Sequence, residues 1–265
     1  MCGIAGYSVR ARSSVERTLA AQALLAGIAE RGADAVGYAY RAPGERYPTV
    51  VKQRTPASQL LERISVPEGA HQLLVHVRDY TKGHPSIAAN NHPVRHGPVI
   101  GIHNGIIVND DELLASYDCA RSEPEMTVDS EAIFAEVAHS QNDPRALERL
   151  RGAMATAWLD EREPELVFLA RGVGRPLWLG EGRSEVFFAS TKNALEVAER
   201  YCGVKLRKRE VREGTVLALR DGAVVRRERF RPDHGYVEAD PLPAVRAPSE
   251  RDFCIAALAT LVSAA

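Results

Sequence analysis

Apolar residues recur along the chain in two rhythms, and the change from one to the other marks out the elements. Ile4-Ala5 with Tyr7-Ser8-Val9 opens the chain as a short apolar run and predicts a buried strand at the N-terminus. A helical stripe follows: Leu19, Leu24, Leu25 and Ile28 predict a helix that Ser13 or Ser14 caps and that runs to about residue 30, with Gly32 at its C-terminal end. Residues 36–41 and 47–51 read as strands around a Pro43-Gly44 turn, and residues 58–64 as a short helix. Residues 71–78 read as a buried strand and 98–103 as another. Between them, 79–97 form a long loop rich in Gly, Pro, Asn and His, a kind that usually carries function.

Helices are predicted over 110–117, 128–139 and 144–151. From 153 onward strands dominate: 153–159, 166–171, 177–179 and 185–189, then 205–211, 215–219 and 223–230, interrupted by a helix over 192–201. Asp221-Gly222 is a strong hairpin signal between the last two strands. Helices grouped on antiparallel strands imply an α+β sheet sandwich rather than a doubly wound sheet. Residues 232–249, with four prolines and several charges, have the composition of a linker. Residues 250–265 repeat apolar positions at helical spacing and are too apolar to hang in water. The expected organisation is a domain over 2–231, a linker over 232–249 and a final helix over 250–265 that packs back on the domain or docks a partner.

Composition narrows the function classes. At 265 residues and 45% hydrophobic, the chain can bury a substantial core, and a net charge of −1 gives no general pull toward nucleic acid or membrane. No apolar run has the length of a membrane span, and Cys2 directly after Met1 leaves no room for a signal peptide, so a cytoplasmic protein is expected. Cysteines at 2, 119, 202 and 254 form no CxxC pair and suit reduced thiols. Six of the eight histidines lie between His71 and His103, without the spacing of a zinc site, so no metal is expected. No phosphate-cradling glycine motif is present, and no cofactor is expected. The basic runs 205–209 and 226–229 offer a nucleic-acid reading, but alternation makes them a solvated strand face.

The candidate chemistry begins at Cys2. With Met1 removed, this residue carries a thiol and a free α-amine together. A thiol with pKa near 8.5 needs a base, and an α-amine with pKa of about 7.7–8.0 supplies one near neutrality. Gly3 and Gly6 leave room for a substrate against the backbone. Four further stretches follow in order: Arg31-Gly32-Ala33-Asp34-Ala35-Val36-Gly37; His76-Val77-Arg78 with Thr81 and Gly83; His103-Asn104-Gly105 with Asn109; and Asp129-Ser130-Glu131. An arginine ending a buried strand, as Arg78 does, can clamp a carboxylate with two parallel hydrogen bonds.

Together with the opening Cys2-Gly3-Ile4-Ala5-Gly6, these stretches resemble the motifs of the class II glutamine amidotransferases, N-terminal-nucleophile hydrolases. The resemblance covers the glutaminase domains of glucosamine-6-phosphate synthase and amidophosphoribosyltransferase, and Asn90-Asn91-His92-Pro93 adds to the first. It implies a four-layer α-β-β-α sandwich over residues 2 to about 230. It implies that Cys2 attacks the side-chain amide of glutamine while Asn104 and Gly105 hold the oxyanion. Arg78, Thr81, His103 and Asp129 would then bind substrate, with Arg78 on its α-carboxylate and Asp129 on its α-ammonium. Arg31, Gly32 and Asp34 would support the site. Asp79 and Lys82 depart from the sugar-phosphate enzyme, which has an aromatic residue and histidine there.

Nothing after residue 232 has room for a synthase, so ammonia is expected to pass to a separate synthase partner subunit, or to a missing C-terminal synthase domain. Two alternatives stand beside the glutaminase: a catalytically silent glutamine-sensing or scaffold domain, and an amidase of the same fold acting on a different amide.

Overall fold

A strand that is apolar on both faces needs cover on both, and this requirement organises the molecule. In the computed structural model, which describes every residue except Pro43, Cys119, Asp240 and Ala265, the chain forms β1 (Gly3–Val9), α1 (Arg17–Ile28), β2 (Ala35–Arg41), β3 (Thr49–Gln53), α2 (Ala57–Leu61), β4 (Gln72–Arg78), β5 (Val94–His96) and β6 (Val99–Ile107). It continues through α3 (Asp110–Ser116), α4 (Ser130–His139), β7 (Gly152–Asp160), β8 (Val167–Arg171), β9 (Trp178–Glu181), β10 (Glu185–Ala189), α5 (Lys192–Cys202), β11 (Arg207–Glu210), β12 (Thr215–Arg220), β13 (Ala223–Arg229) and α6 (Pro248–Ala264).

The strands form two antiparallel sheets. One has the order β11-β9-β10-β1-β4-β2-β3 and the other β13-β12-β8-β7-β6-β5. Ile4, Leu74, Ile102, Ala157, Leu169, Phe188 and Leu217 meet between the sheets as one buried cluster. On the outer face of the first sheet, Tyr7, Leu73, Val75 and Phe187 pack against α1, α5 and α6. On the outer face of the second, Trp158, Phe168 and Ala170 pack with Ile133, Phe134 and Leu113 of α4 and α3. The result is an α-β-β-α sandwich, the class that strand density and grouped helices predict. Side chains of this size contribute about 1.5–3 kcal/mol each when fully buried.

Several local expectations are corrected. The cap of α1 is Glu16, whose carboxylate accepts from the Thr18 and Leu19 backbone N–H groups, rather than Ser13 or Ser14. Gly32 is extended and does not close the helix as a left-handed cap. A side chain there would run into the Arg78 carbonyl. The loop over 79–97 contains a 3-10 turn at Ala88–Asn90 and the short strand β5. The strand expected over 98–103 runs on to Ile107, because β6 stays paired with β7 through Asn104 and Gly105. The Asp221-Gly222 turn stands, with both residues at positive φ, as a tight hairpin of this kind requires. Pro43 of the expected turn at 43–44 lies outside the described residues.

The chain after β13 is extended, and α6 returns to the helical layer of the first sheet. Cys254 and Leu258 are fully buried there, while Glu250 accepts hydrogen bonds from the Ser58 backbone N–H at 3.0 Å and its hydroxyl at 3.2 Å. Arg251 pairs with Glu30 at 3.0 Å. No helix among the described residues is long and apolar enough to cross a membrane.

Candidate active site

Strand pairing places Cys2 beside Arg78. Gly3 pairs with Val77 and Ile4 with His76, so the residue ahead of β1 meets the end of β4. The turn that leads into β2 braces this junction. Arg31 Nε donates to the Cys2 carbonyl at 2.8 Å, the Asp34 N–H to the Arg78 carbonyl at 3.1 Å, and the Tyr80 N–H to the Asp34 carboxylate at 2.9 Å. Arg31 and Asp34 therefore hold backbone in place around Cys2, and Gly32 lets the Arg78 carbonyl come close.

Cys2 itself is half-buried. Burial pushes its thiol pKa up, opposed by a hydrogen bond with the Asp79 backbone and by the positive charges of Arg78 and the N-terminus; Sγ also donates to the Asp79 carbonyl at 3.4 Å. Such a thiol needs a base to become a nucleophile. The N-terminal ammonium of Met1 lies on the Asp79 carboxylate, which also faces Arg246 at 3.5 Å. Asp79, a departure in the sequence, is thus the group that anchors the N-terminus. Lys82, the other departure, pairs with Asp110 at 2.6 Å and Asp111 at 3.1 Å and ties the 79–84 loop to the start of α3.

Arg78 is buried, and its guanidinium bonds only to neutral acceptors: Asn91 Oδ1 at 2.6 Å and the Lys82 and Gly83 carbonyls. It makes no ion pair among the described residues, which leaves a buried positive charge available for an anion. The Asn90-Asn91 segment works in its support, since Asn91 Nδ2 donates to the Pro85 carbonyl at 2.8 Å and Asn90 Oδ1 accepts from the Thr127 and Val128 N–H groups.

Asp129 precedes α4 but does not cap it. Its side chain turns away and accepts from the Ile107 N–H at 2.7 Å. Burial pushes its carboxyl up to about 6, against the lowering effect of that hydrogen bond. Two residues on, Glu131 is held by His96 at 3.1 Å, Arg121 at 3.3 Å and the Ser122 N–H at 2.7 Å, which fixes the loop ahead of α4.

Asn104 and Gly105 lie on β6 opposite Ala155 and Met154. The Asn104 side chain is fully buried, and neither its amide nitrogen nor its oxygen has a partner among the described residues. A buried amide left unpaired costs about 1–3 kcal/mol, so the position fits a group that bonds to something other than the protein. Gly105 sits at φ +150°, and a side chain there would overlap the Ala153 carbonyl and crowd His103 Nε2. Only glycine fits. His103 contacts Ser130 Oγ at 2.9 Å and the Ala153 carbonyl at 3.4 Å, and burial holds its ring neutral, with a pKa of about 3. His76 and His92 stack at 4.1 Å beside it, both kept neutral by burial. These rings are therefore neutral, and His103 and His92 also reach the cavity beside Cys2. No three His, Cys, Asp or Glu side chains among the described residues are placed to hold a metal ion.

Two small cavities, about 10 Å³ each, adjoin Cys2. One is lined by Cys2, Arg78, Thr81, His103, Gly105 and Asp129, the other by Cys2, Thr81, Asn104, Gly105, Arg175 and Glu238. The site residues expected from the sequence therefore come together, apart from the three that brace the backbone. Larger clefts of about 640 and 700 Å³ lie elsewhere, and no cysteine or serine is among the described residues that line them. Arg175, Glu238, Leu242 and Tyr80 also line the Cys2 cavities and were not singled out from the sequence. Arg175, in a loop between strands, and Glu238, in a proline-rich stretch, lack any local pattern that would mark them. The basic strand β11 is neutralised: Arg207 and Arg209 pair with Glu181 at 3.1 and 2.9 Å, and Lys208 with Glu199.

Comparison with known proteins gives a consistent picture. The family model described as a glutamine amidotransferase domain matches residues 78–197, a span that contains Arg78, Asn104, Gly105 and Asp129 but not Cys2. The glutamine–fructose-6-phosphate aminotransferase (isomerizing) of Symbiobacterium thermophilum is 32% identical over 206 residues, covering 74% of this chain and 32% of its own length. That of Escherichia coli O6:H1 is 31% identical over 212 residues with the same coverage. The chain thus spans about a third of the length of the curated relatives it matches. Among solved structures, the glutamine phosphoribosylpyrophosphate amidotransferase of B. subtilis, complexed with ADP and GMP, superposes with a TM-score of 0.66 at 20% identity. The match covers 86% of this chain and 49% of that one. A structure described as the allosteric regulatory enzyme of purine biosynthesis gives 0.65 at 18% identity, with the same coverage.

Proposed function

The chain belongs to the class II glutamine amidotransferases, and from that premise we propose that it hydrolyses L-glutamine to glutamate and ammonia through a thioester on Cys2, once Met1 is removed. The observation that carries this reading is the presence of Arg78, a buried cation, and Asp129, a buried carboxylate, on one cavity wall beside Cys2, neither making an ion pair among the described residues. An amino acid presents a carboxylate and an ammonium at its α-carbon, and these two side chains complement both.

The proposed reaction has two halves. The Cys2 α-amine takes the thiol proton, and the thiolate attacks the side-chain amide carbon of glutamine. Negative charge then grows on the amide oxygen, where the Asn104 Nδ2–H and the Gly105 backbone N–H are the candidate donors. The C–N bond breaks, and nitrogen leaves as ammonia with the proton returned by the α-amine. Water, deprotonated by the same amine, attacks the thioester, giving glutamate and the free thiol. Thr81 and His103 line the pocket, and Arg31, Gly32 and Asp34 keep the Cys2 and Arg78 backbones in register.

Ammonia released this way is proposed to serve an acceptor on a synthase partner subunit or on a further domain of a longer chain. The relatives are named as fructose-6-phosphate aminotransferases, and this chain spans only about a third of them. A thiol nucleophile favours a reducing compartment, which supports a cytoplasmic setting.

Intact-mass spectrometry with a diazo-ketone analogue of glutamine tests the proposal. The expected result is loss of the Met1 mass and one covalent adduct, absent in Cys2→Ala. Retained Met1 with no adduct would overturn it in favour of a silent glutamine-binding domain.

A further inference from the structure

The two cavities at Cys2 share Cys2, Asp79, Thr81 and Gly105 but differ in their remaining walls. One wall carries Arg78 and Asp129. The other carries Arg175, Glu238 and Leu242, and two of these come from the extended stretch between β13 and α6. That stretch is tethered at both ends, to two different 3-10 turns. On one side the Arg231 N–H donates to Glu148 at 2.9 Å. On the other, the Arg246 and Ala247 N–H groups both donate to the Glu30 carbonyl at 2.9 Å, ahead of the buried anchors of α6.

Between these tethers, Glu238 makes a bidentate pair with Arg175 at 2.8 and 2.7 Å. The Arg175 side chain is 6% exposed and that of Glu238 21%, so the pair is largely withdrawn from water. Arg246 faces Asp79, the carboxylate that also holds the N-terminal ammonium. No other hydrogen bond or ion pair among the described residues holds the side chains of Tyr236, Glu238 or Leu242, and Val237 and Val245 are exposed. A stretch pinned at its ends, without secondary structure and held over the cavity by the Arg175–Glu238 pair, has the makings of a movable cover.

We infer that the described residues 233–239 and 241–247 form a lid carried in cis over Cys2, and that Arg175 and Glu238 are the positioning pair that latches it. The inference rests on the reading of Cys2 as the working nucleophile. Amino-acid recognition lies on the Arg78 and Asp129 side, so the lid closes the other side of the thiol. There it keeps bulk water off the thioester and bounds the route by which ammonia leaves. Met1 also lines this cavity, so its removal enlarges the space under the lid while Glu238 and Leu242 remain as its wall.

The test measures access to Cys2 rather than catalysis. Protein lacking Met1 is treated with iodoacetamide, and alkylation of Cys2, Cys202 and Cys254 is followed separately by peptide mass mapping. Opening the latch is expected to raise the Cys2 rate roughly 10- to 100-fold in Glu238→Ala, because losing a charge-assisted bidentate pair shifts a closed–open ratio by about that factor. Glu238→Gln, which keeps the shape and loses the charge, is expected to lie between. Salt is expected to accelerate Cys2 alkylation in the wild type and not in Glu238→Gln. Cys202 and Cys254 rates and the melting temperature serve as controls for general loosening. If Glu238→Ala fails to fold, Glu238→Gln carries the test. A Cys2 rate that stays at the wild-type value in the folded variants overturns the lid. Faster Cys2 alkylation with no glutamine hydrolysis by any form sustains the lid and sinks the glutaminase reading.

Discussion

Asp129→Asn separates recognition from stability in a single residue. Burial raises the Asp129 carboxyl from the ordinary 3.8 to about 6. At about 1.4 kcal/mol per pH unit, that displacement corresponds to about 3 kcal/mol by which folding disfavours the ionised form. The sign follows from proton binding. Between pH 4 and 6 the folded protein holds a proton that the unfolded chain has released, so this group lowers stability as pH rises through that window. Below 4 both states are protonated and the effect vanishes; above 6 both are ionised and it is complete. Asparagine keeps an oxygen to accept from Ile107 and has nothing to ionise, but its buried NH₂ group, if unpaired, costs about 1–3 kcal/mol at every pH. Urea unfolding of wild type and variant at pH 4.5 and 7.5 is the assay, and most background titrations cancel in the difference. The variant is expected to gain about 2 kcal/mol on the wild type between these conditions, since part of the effect is already present at pH 4.5, and to be the more stable at pH 7.5. Its kcat/KM for glutamine is expected to fall by about 100-fold or more, because removing one partner of a buried charge pair costs roughly 2–5 kcal/mol. A stability difference that does not change with pH would refute the account of Asp129 as a carboxylate kept costly for the sake of a ligand.

Two further outcomes follow from the same geometry. Asn104→Ala is expected to lower kcat about 100- to 1000-fold with little change in KM, the signature of a group that bonds the transition state more than the substrate; steady-state glutaminase kinetics would show it. Leu258→Ala is expected to cost about 2–5 kcal/mol in a single cooperative urea transition if α6 is an integral layer of the fold, whereas a separate early transition would mark α6 as detachable.

Much of the architecture was legible because the strands are apolar on both faces, so Ile4, Val75 and Phe187 declared buried strands without needing their partners. Local punctuation was less reliable. Asn104-Gly105 carries a strong turn signal, but a full ladder with β7 keeps β6 straight through it, and the positive φ of Gly105 is absorbed within the strand. Ser13 and Ser14 look like helix caps, but Glu16 reaches the first free N–H groups from a position nearer the helix. The candidate site could be read where its members sit in ordered motifs, from Cys2 through Arg78 and Asn104 to Asp129. Its outer wall could not. Arg175 and Glu238 meet across 63 positions of sequence, and neither belongs to a periodic or motif-bearing segment.

The placement of β1 in the middle of its sheet has a consequence for the order of events during synthesis. Its neighbours are β4, which pairs Ile4 with His76, and β10, which pairs Ala5 with Ala189. Pairing of β1 is therefore complete only once β10 exists, after most of the described elements have been made. Ladders that join segments so far apart in sequence form slowly, so the backbone beside Cys2 is expected to be among the last parts of the sheet to be fixed.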